Sequence, residues 1–145
     1  MFGIETFNQR LLKLIKKGIT AEASKYCLDL FHECGIKTYA WFLCNLPSET
    51  IEETKEDMEQ TKKMLYCLDA FYIGIFSLYA NTDMYIKPEQ YNIIGMHPTD
   101  PQKFTSHNDG VIIDNDAMLD FCVKEYRPMQ IKYCFTWSRY TLFFA

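Results

Sequence analysis

The sequence predicts an α/β fold with parallel strands and helical crossovers, followed by a mostly helical C-terminal region. Three observations lead there. Short, nearly continuous apolar runs with many aromatics stand at 36–43 and 70–78, a pattern that suits buried strands. Segments with helical apolar periodicity and helix-start signals lie before and between them. The resulting order, strand, helix, helix, strand, helix, strand, points to parallel pairing through crossovers.

Element by element, Phe2-Gly3-Ile4-Glu5-Thr6 reads as the end of a buried strand. Leu11, Leu12, Leu14 and Ile15 form a helical stripe ending at Gly18, a residue suited to the left-handed position after a helix. Thr20 caps a second helix with apolar positions Ala23, Cys27, Leu30, Phe31 and Cys34, and Gly35 stops it. The run 36–43 suits a strand buried on both faces. Leu46-Pro47-Ser48-Glu49 then breaks the chain, and Thr50 with Glu53 makes a capping box for a third helix. That helix turns Ile51, Met58, Met64, Leu65 and Leu68 inward and Glu52, Lys55, Glu56, Glu59 and Lys63 outward, with Glu59 and Lys63 at the favourable i, i+4 spacing. After the run 70–78 the pattern weakens. From about Gly95 to Asp114, Pro98, Pro101, Gly110 and several Asp and Asn read as a long loop. Asp116 caps a last helical region that Pro128 interrupts, carrying Phe121, Tyr126, Tyr133, Trp137 and Tyr140. The expected organisation is 1–92 for the strand-and-helix unit, 93–115 for a loop, and 116–145 for a helical extension.

With 145 residues, 48% apolar and 23% charged, the chain fits one globular domain with a real core. Its net charge is −4 and no Lys/Arg run exceeds two residues, which argues against a nucleic-acid partner. No stretch of about eighteen apolar residues is present, and residues 1–9 lack the features of a secretion signal. No membrane partner and a cytoplasmic location are expected. Six cysteines (Cys27, Cys34, Cys44, Cys67, Cys122 and Cys134) show no paired framework, and free, mostly buried thiols are expected. Aromatic residues reach 16%, which suggests broad apolar surfaces packed on something.

Three ordered blocks carry a family resemblance. Gly3-Ile4-Glu5-Thr6 with the helix Leu11 to Ile15 and Lys16-Lys17-Gly18-Ile19-Thr20 is the first. Gly35-Ile36 opening a strand that ends in Asn45-Leu46-Pro47-Ser48-Glu49-Thr50 is the second, and Asp69-Ala70-Phe71 through Asn81-Thr82-Asp83-Met84-Tyr85 the third. Together they resemble strands four to six of the barrel of radical S-adenosylmethionine (SAM) enzymes, covering residues 3–85. The pattern most resembles the subgroup that often carries an upstream cobalamin-binding domain. Asn45, Ser48 and Asn81 replace glycines of the family pattern. Asn tolerates the left-handed region, so the backbone is expected to survive at Asn45 and Asn81, whereas Ser48 is the harder substitution.

The resemblance implies half of a TIM-type (β/α) barrel, and an enzyme whose SAM and 4Fe-4S cluster do the chemistry, with cobalamin as a further cofactor. The family's Cys-x-x-x-Cys-x-x-Cys loop and the barrel half that holds it are missing from the sequence. Cys27 and Cys34 have the outer spacing of that motif, but Phe31 occupies its middle place, and all three lie on one helix. No metal ligand is therefore assigned, and the chain alone is not expected to be catalytically competent. The expected partners are the missing N-terminal half or a second copy, and a small-molecule substrate. The other readings are a non-catalytic interaction module and a degenerate remnant of such an enzyme.

A carboxylate at the strand end Glu5-Thr6 faces the mouth of a parallel barrel, where it can accept from ribose hydroxyls or an ammonium, or can cap the next helix. The resemblance places Glu5 on the SAM ribose, Lys17 on its carboxylate, and Leu43 and Asn45 beside its adenine, with Thr6 completing the strand end. Lys16 and Lys17 can equally complement a helix dipole, and Leu43 can be core packing. Tyr79 and Tyr85 are candidates for a substrate wall. His97 and His107, with Asp100 and Asp109, lack the tight spacing of a zinc site.

Overall fold

The computed structural model describes residues 1–134. Residues 135–145, with Trp137 and Tyr140 of the expected C-terminal helix, lie outside the described residues. Strand β1 (Phe2–Glu5) leads into helices α1 (Gln9–Leu14) and α2 (Ala21–Glu33), then β2 (Tyr39–Cys44), α3 (Ile51–Lys63) and β3 (Ala70–Ile75). The three strands form a parallel sheet in the order β1-β2-β3, so an α/β architecture with helical crossovers is observed. Among the described residues this parallel sheet has three strands.

Its register explains which side chains are buried. Ala40 pairs with Phe71, Phe42 with Ile73 and Cys44 with Ile75, and these side chains face the helices. Ile4 and Phe2 join them from β1, and Leu28, Met58, Met118 and Tyr126 close over them from the helices. Phe42 is fully buried and meets Phe7 and Phe71 edge-on at 5.4 and 6.2 Å between ring centres. Burying such a side chain contributes about 1.5–3 kcal/mol. Tyr39, Trp41, Leu43, Tyr72 and Gly74 alternate onto the opposite face. The expected two-sided burial of 36–43 is thus corrected: helices cover one face only, and Trp41 is 38% exposed on the other.

The helices follow their caps more closely than their apolar stripes. Thr20 and Thr50 accept from Ala23 N and Glu53 N, and Thr50 with Glu53 forms the full capping box. In α2 the buried stripe is Ala21, Ser24 and Leu28, one step around from the expected one, with Leu30 and Cys34 exposed. In α3 the buried face includes Thr54, Asp57 and Thr61 beside Met58, and Lys62 rather than Lys63 reaches Glu59, at 2.6 Å. Both α1 and α2 end in Schellman motifs. Gly35 takes the left-handed position after α2 (φ 69°), but after α1 that position is Lys16 (φ 54°), ahead of Gly18.

Past Ile75 the expected loop and mostly helical end are corrected. A short helix α4 (Asp83–Ile86) and a 3₁₀ turn (Pro88–Tyr91) precede a second sheet. This sheet is antiparallel, with β4 (Ile93–Met96), β5 (Phe104–Asn108) and β6 (Val111–Ile112) in sequential order. Pro98 and Pro101 fall in the turn between β4 and β5, where prolines removed no ladder donors. Asp109 and Gly110, both at positive φ (49° and 84°), form the two-residue turn joining β5 to β6. A small core of Leu78, Tyr91, Ile93 and Phe104 lies under this unit. Asp114, not Asp116, caps α5 (Asn115–Phe121), and a π-helical segment (Cys122–Tyr126) leads into α6 (Arg127–Cys134). Pro128 does not interrupt the helix. The wider π turn just before it accommodates a residue that supplies no N–H.

Candidate functional site

Glu5 and Lys17 meet at the C-terminal end of the sheet. A bulge between Gly3 and Glu5 and a positive φ at Glu5 (66°) turn its carboxylate back along β1. The Schellman end of α1 turns the following chain, with Lys17 N donating to Leu12 O at 3.0 Å. The Lys17 ammonium then donates to Glu5 Oε1 at 2.6 Å. The pair lies over Gly3, where a Cβ would stand 2.8 Å from Glu5 Oε1 and 3.1 Å from Lys17 Nζ. Glycine at that position makes room for the ion pair. Among the described residues, Glu5 has no other polar partner.

The other anticipated residues take different duties. Thr6 is fully buried and its Oγ1 accepts from Asn8 N at 2.9 Å, so it serves the start of α1. Asn45 is buried, its Nδ2 donates to Gln102 O, and its Oδ1 accepts from Asn115 Nδ2. Its side chain therefore ties the end of β2 to the second sheet and to α5. Asn45 (φ 63°) and Ser48 (φ 65°) both adopt the left-handed backbone, whereas Asn81 does not. Arg10 holds the Ser48 turn: Nη1 donates to Ser48 Oγ at 2.7 Å and Nη2 to Ser48 O at 2.8 Å, while Ser106 Oγ accepts from Ser48 N. The same guanidinium grips Glu53 through Nε and Nη2, at 2.8 and 2.6 Å. Burial works against the charge of Glu53, but Arg10, with Thr50 N and Asn8, holds its carboxyl below the usual range.

Of the anticipated residues, Leu43 and Tyr79 line a cavity of about 620 Å³ along β3, whose lining draws on residues from both faces of the sheet. Trp41 and Tyr72 stand on it with ring centres 4.8 Å apart, and Gly74 forms its floor. A Cβ on Gly74 would come within 3.3 Å of Leu43 Cδ2 and of Tyr72 Cε1, and within 3.4 Å of Trp41 Nε1. Tyr79 lines the same cavity and is exposed; Tyr85 does not line it.

Two buried carboxyls escaped the sequence. Glu49 accepts from Leu46 N at 2.8 Å and from Thr54 Oγ1 at 2.9 Å, and burial pushes its carboxyl up to about 8. Asp57 accepts from Phe7 N and from the Tyr126 hydroxyl, and burial pushes it up to about 6. The one signal for Asp57 was its place beside Thr54, Met58 and Thr61 on the buried stripe of α3.

The described cysteines fall on several elements. Cys27 and Cys34 sit on α2 and its end, Cys44 on β2, Cys67 after α3 and Cys122 at the π-helical segment. The neighbouring Cys122 thiol and burial push the Cys44 thiol well up, away from the thiolate a metal needs. Among the described residues no group of three or more His, Cys, Asp or Glu is placed to hold a metal ion. His97 and His107 instead accept at Nδ1 from the backbone N–H of Asp100 and Gly110, closing the turns of the second sheet. No helix among the described residues is long and apolar enough to cross a membrane. Compared with protein-family models and with curated proteins, the chain matches none.

Proposed function

We propose that this chain is a segment of a radical SAM enzyme that supplies part of the SAM pocket and of the substrate wall. On this reading it is not catalytically competent alone. The observation that carries the proposal is the Glu5–Lys17 pair, held over Gly3 on the uncovered face at the C-terminal end of parallel strands. Ligands of parallel α/β folds bind at that end. A carboxylate there accepts from ribose hydroxyls, and an ammonium beside it donates to a carboxylate. Leu43 adds an apolar contact for a planar ring. SAM on a cluster held elsewhere supplies hydrogen-atom abstraction, and the residues of this chain bind and orient. Cobalamin belongs to the same proposal only through the subgroup likeness of the sequence. The cytoplasm is its proposed setting.

The test restores the missing half. With a Cys-x-x-x-Cys-x-x-Cys barrel half fused or co-expressed, Glu5→Ala and Lys17→Ala each weaken SAM binding by about 1–3 kcal/mol. Unchanged affinity in both variants overturns the assignment. The chain by itself, reconstituted anaerobically with iron and sulfide, should gain no stoichiometric thiolate-to-iron absorption; a stable brown protein would contradict the reading.

A non-catalytic interaction module is the second reading. What favours it is the aromatic face of Tyr39, Trp41 and Tyr72, left uncovered by the helices.

A further inference from the structure

The cavity at the edge of β3 is lined by one cation and no carboxylate. Arg127, at the start of α6, is the one charged residue among those lining it. The chain as a whole carries −4, and the cavity between α1 and α3 mixes Arg10, Lys25, Glu53 and Asp57. The Arg127 guanidinium makes no hydrogen bond or ion pair among the described residues, its backbone N–H alone donating, to Cys122 O. Neither does the Trp41 indole N–H nor the Tyr72 hydroxyl, although the two rings lie in contact on the same cavity wall. Donors thus outnumber acceptors among the side chains there, and an unpaired planar guanidinium favours carboxylate or phosphate oxygens. The Cys44 thiol, which also lines the cavity, is held protonated and adds no charge. Gly74 leaves the floor beneath Leu43, Tyr72 and Trp41 flat, and flat aromatic walls suit a ring.

We infer that this cavity binds a small molecule that combines a planar aromatic ring with an anionic group, the ring against Trp41 and Tyr72 and the anion on Arg127. Arg127 and the unpaired donors are specificity elements. The inference goes beyond the SAM reading, because Glu5 and Lys17 do not line the cavity and Arg127 lies outside residues 3–85.

Calorimetric titration of the whole chain with naphthoate, its neutral amide and inorganic phosphate tests it, with circular dichroism confirming that each variant is folded. Naphthoate should bind about tenfold more tightly than naphthamide, the scale of one charge-assisted hydrogen bond. Arg127→Gln should remove that preference and leave naphthamide binding as it was, and Trp41→Leu should weaken both. Three results overturn the proposal: no naphthoate binding, equal binding of acid and amide, or a preference that survives Arg127→Gln. Phosphate binding as tight as naphthoate overturns the aromatic half of it.

Discussion

Glu49 is 1% exposed and Asp57 3%, and among the described residues neither has a cationic partner in a direct salt bridge. Burial is the main reason their carboxyls rise to about 8 and about 6. A folded chain that holds these protons more tightly than the unfolded chain loses stability as pH rises. Their contribution is therefore intact below the ordinary carboxylate range and falls away through about 6 for Asp57 and about 8 for Glu49. Glu53 runs the other way: its carboxyl is lowered, so its contribution is lost as pH falls through that lowered value. Urea unfolding from about pH 5 to about pH 8 should accordingly show declining stability. Glu49→Gln should flatten the upper part of that decline, because an amide can still accept from Leu46 N and pair with Thr54 without titrating. An identical slope in variant and parent would refute this account.

Strand β2 and helix α3 show how much each kind of interaction contributes at the level of an element. Phe42 is enclosed by Phe7, Phe71 and the helices, so Phe42→Ala should lower unfolding free energy by about 3–5 kcal/mol. Thr50→Ala breaks the capping box of α3 and should lower it by about 1 kcal/mol. Chemical denaturation of the two variants side by side checks the ordering, and comparable losses would mean that β2 is less tightly enclosed than its burial indicates. The helix from 115 to 134 makes a related point. A proline in its interior is tolerated because the preceding π turn accommodates a residue that supplies no N–H.

For the molecule as a whole, the question is what covers the second face of the parallel sheet. Helices cover one side, while Trp41 and the Tyr39 and Tyr72 rings line the other, and β1 and β3 are both edge strands. Open edges and apolar faces recruit partners. The isolated chain should self-associate and bind hydrophobic dyes, and Trp41→Lys with Tyr72→Lys should diminish both signals in light scattering and dye fluorescence. A monodisperse parent chain with no dye signal would overturn the expectation.

Local chemistry was legible in the sequence wherever a short segment determines its own conformation. The caps at Thr20 and Thr50 and the stop at Gly35 depend on residues within a turn of each other. Asp109-Gly110 belongs in that class too, since the two residues carry a hairpin signal that the nearby prolines masked. The Glu5–Lys17 pair was legible as two residues with matching charge, but their meeting depends on a strand bulge and a left-handed Lys16. Tertiary structure alone decided the rest. Apolar residues alternate onto both faces of β2, and nothing in a strand says which face the helices will cover. Asp57 reads as one more acid on a charged helix until Phe7 and Tyr126 close around it. Arg127 meets Trp41 only through folding, because 86 positions of chain separate them (127 less 41) and the cavity exists only where α6 lies along β3. Long-range packing sets such contacts, and no local period in the sequence encodes them.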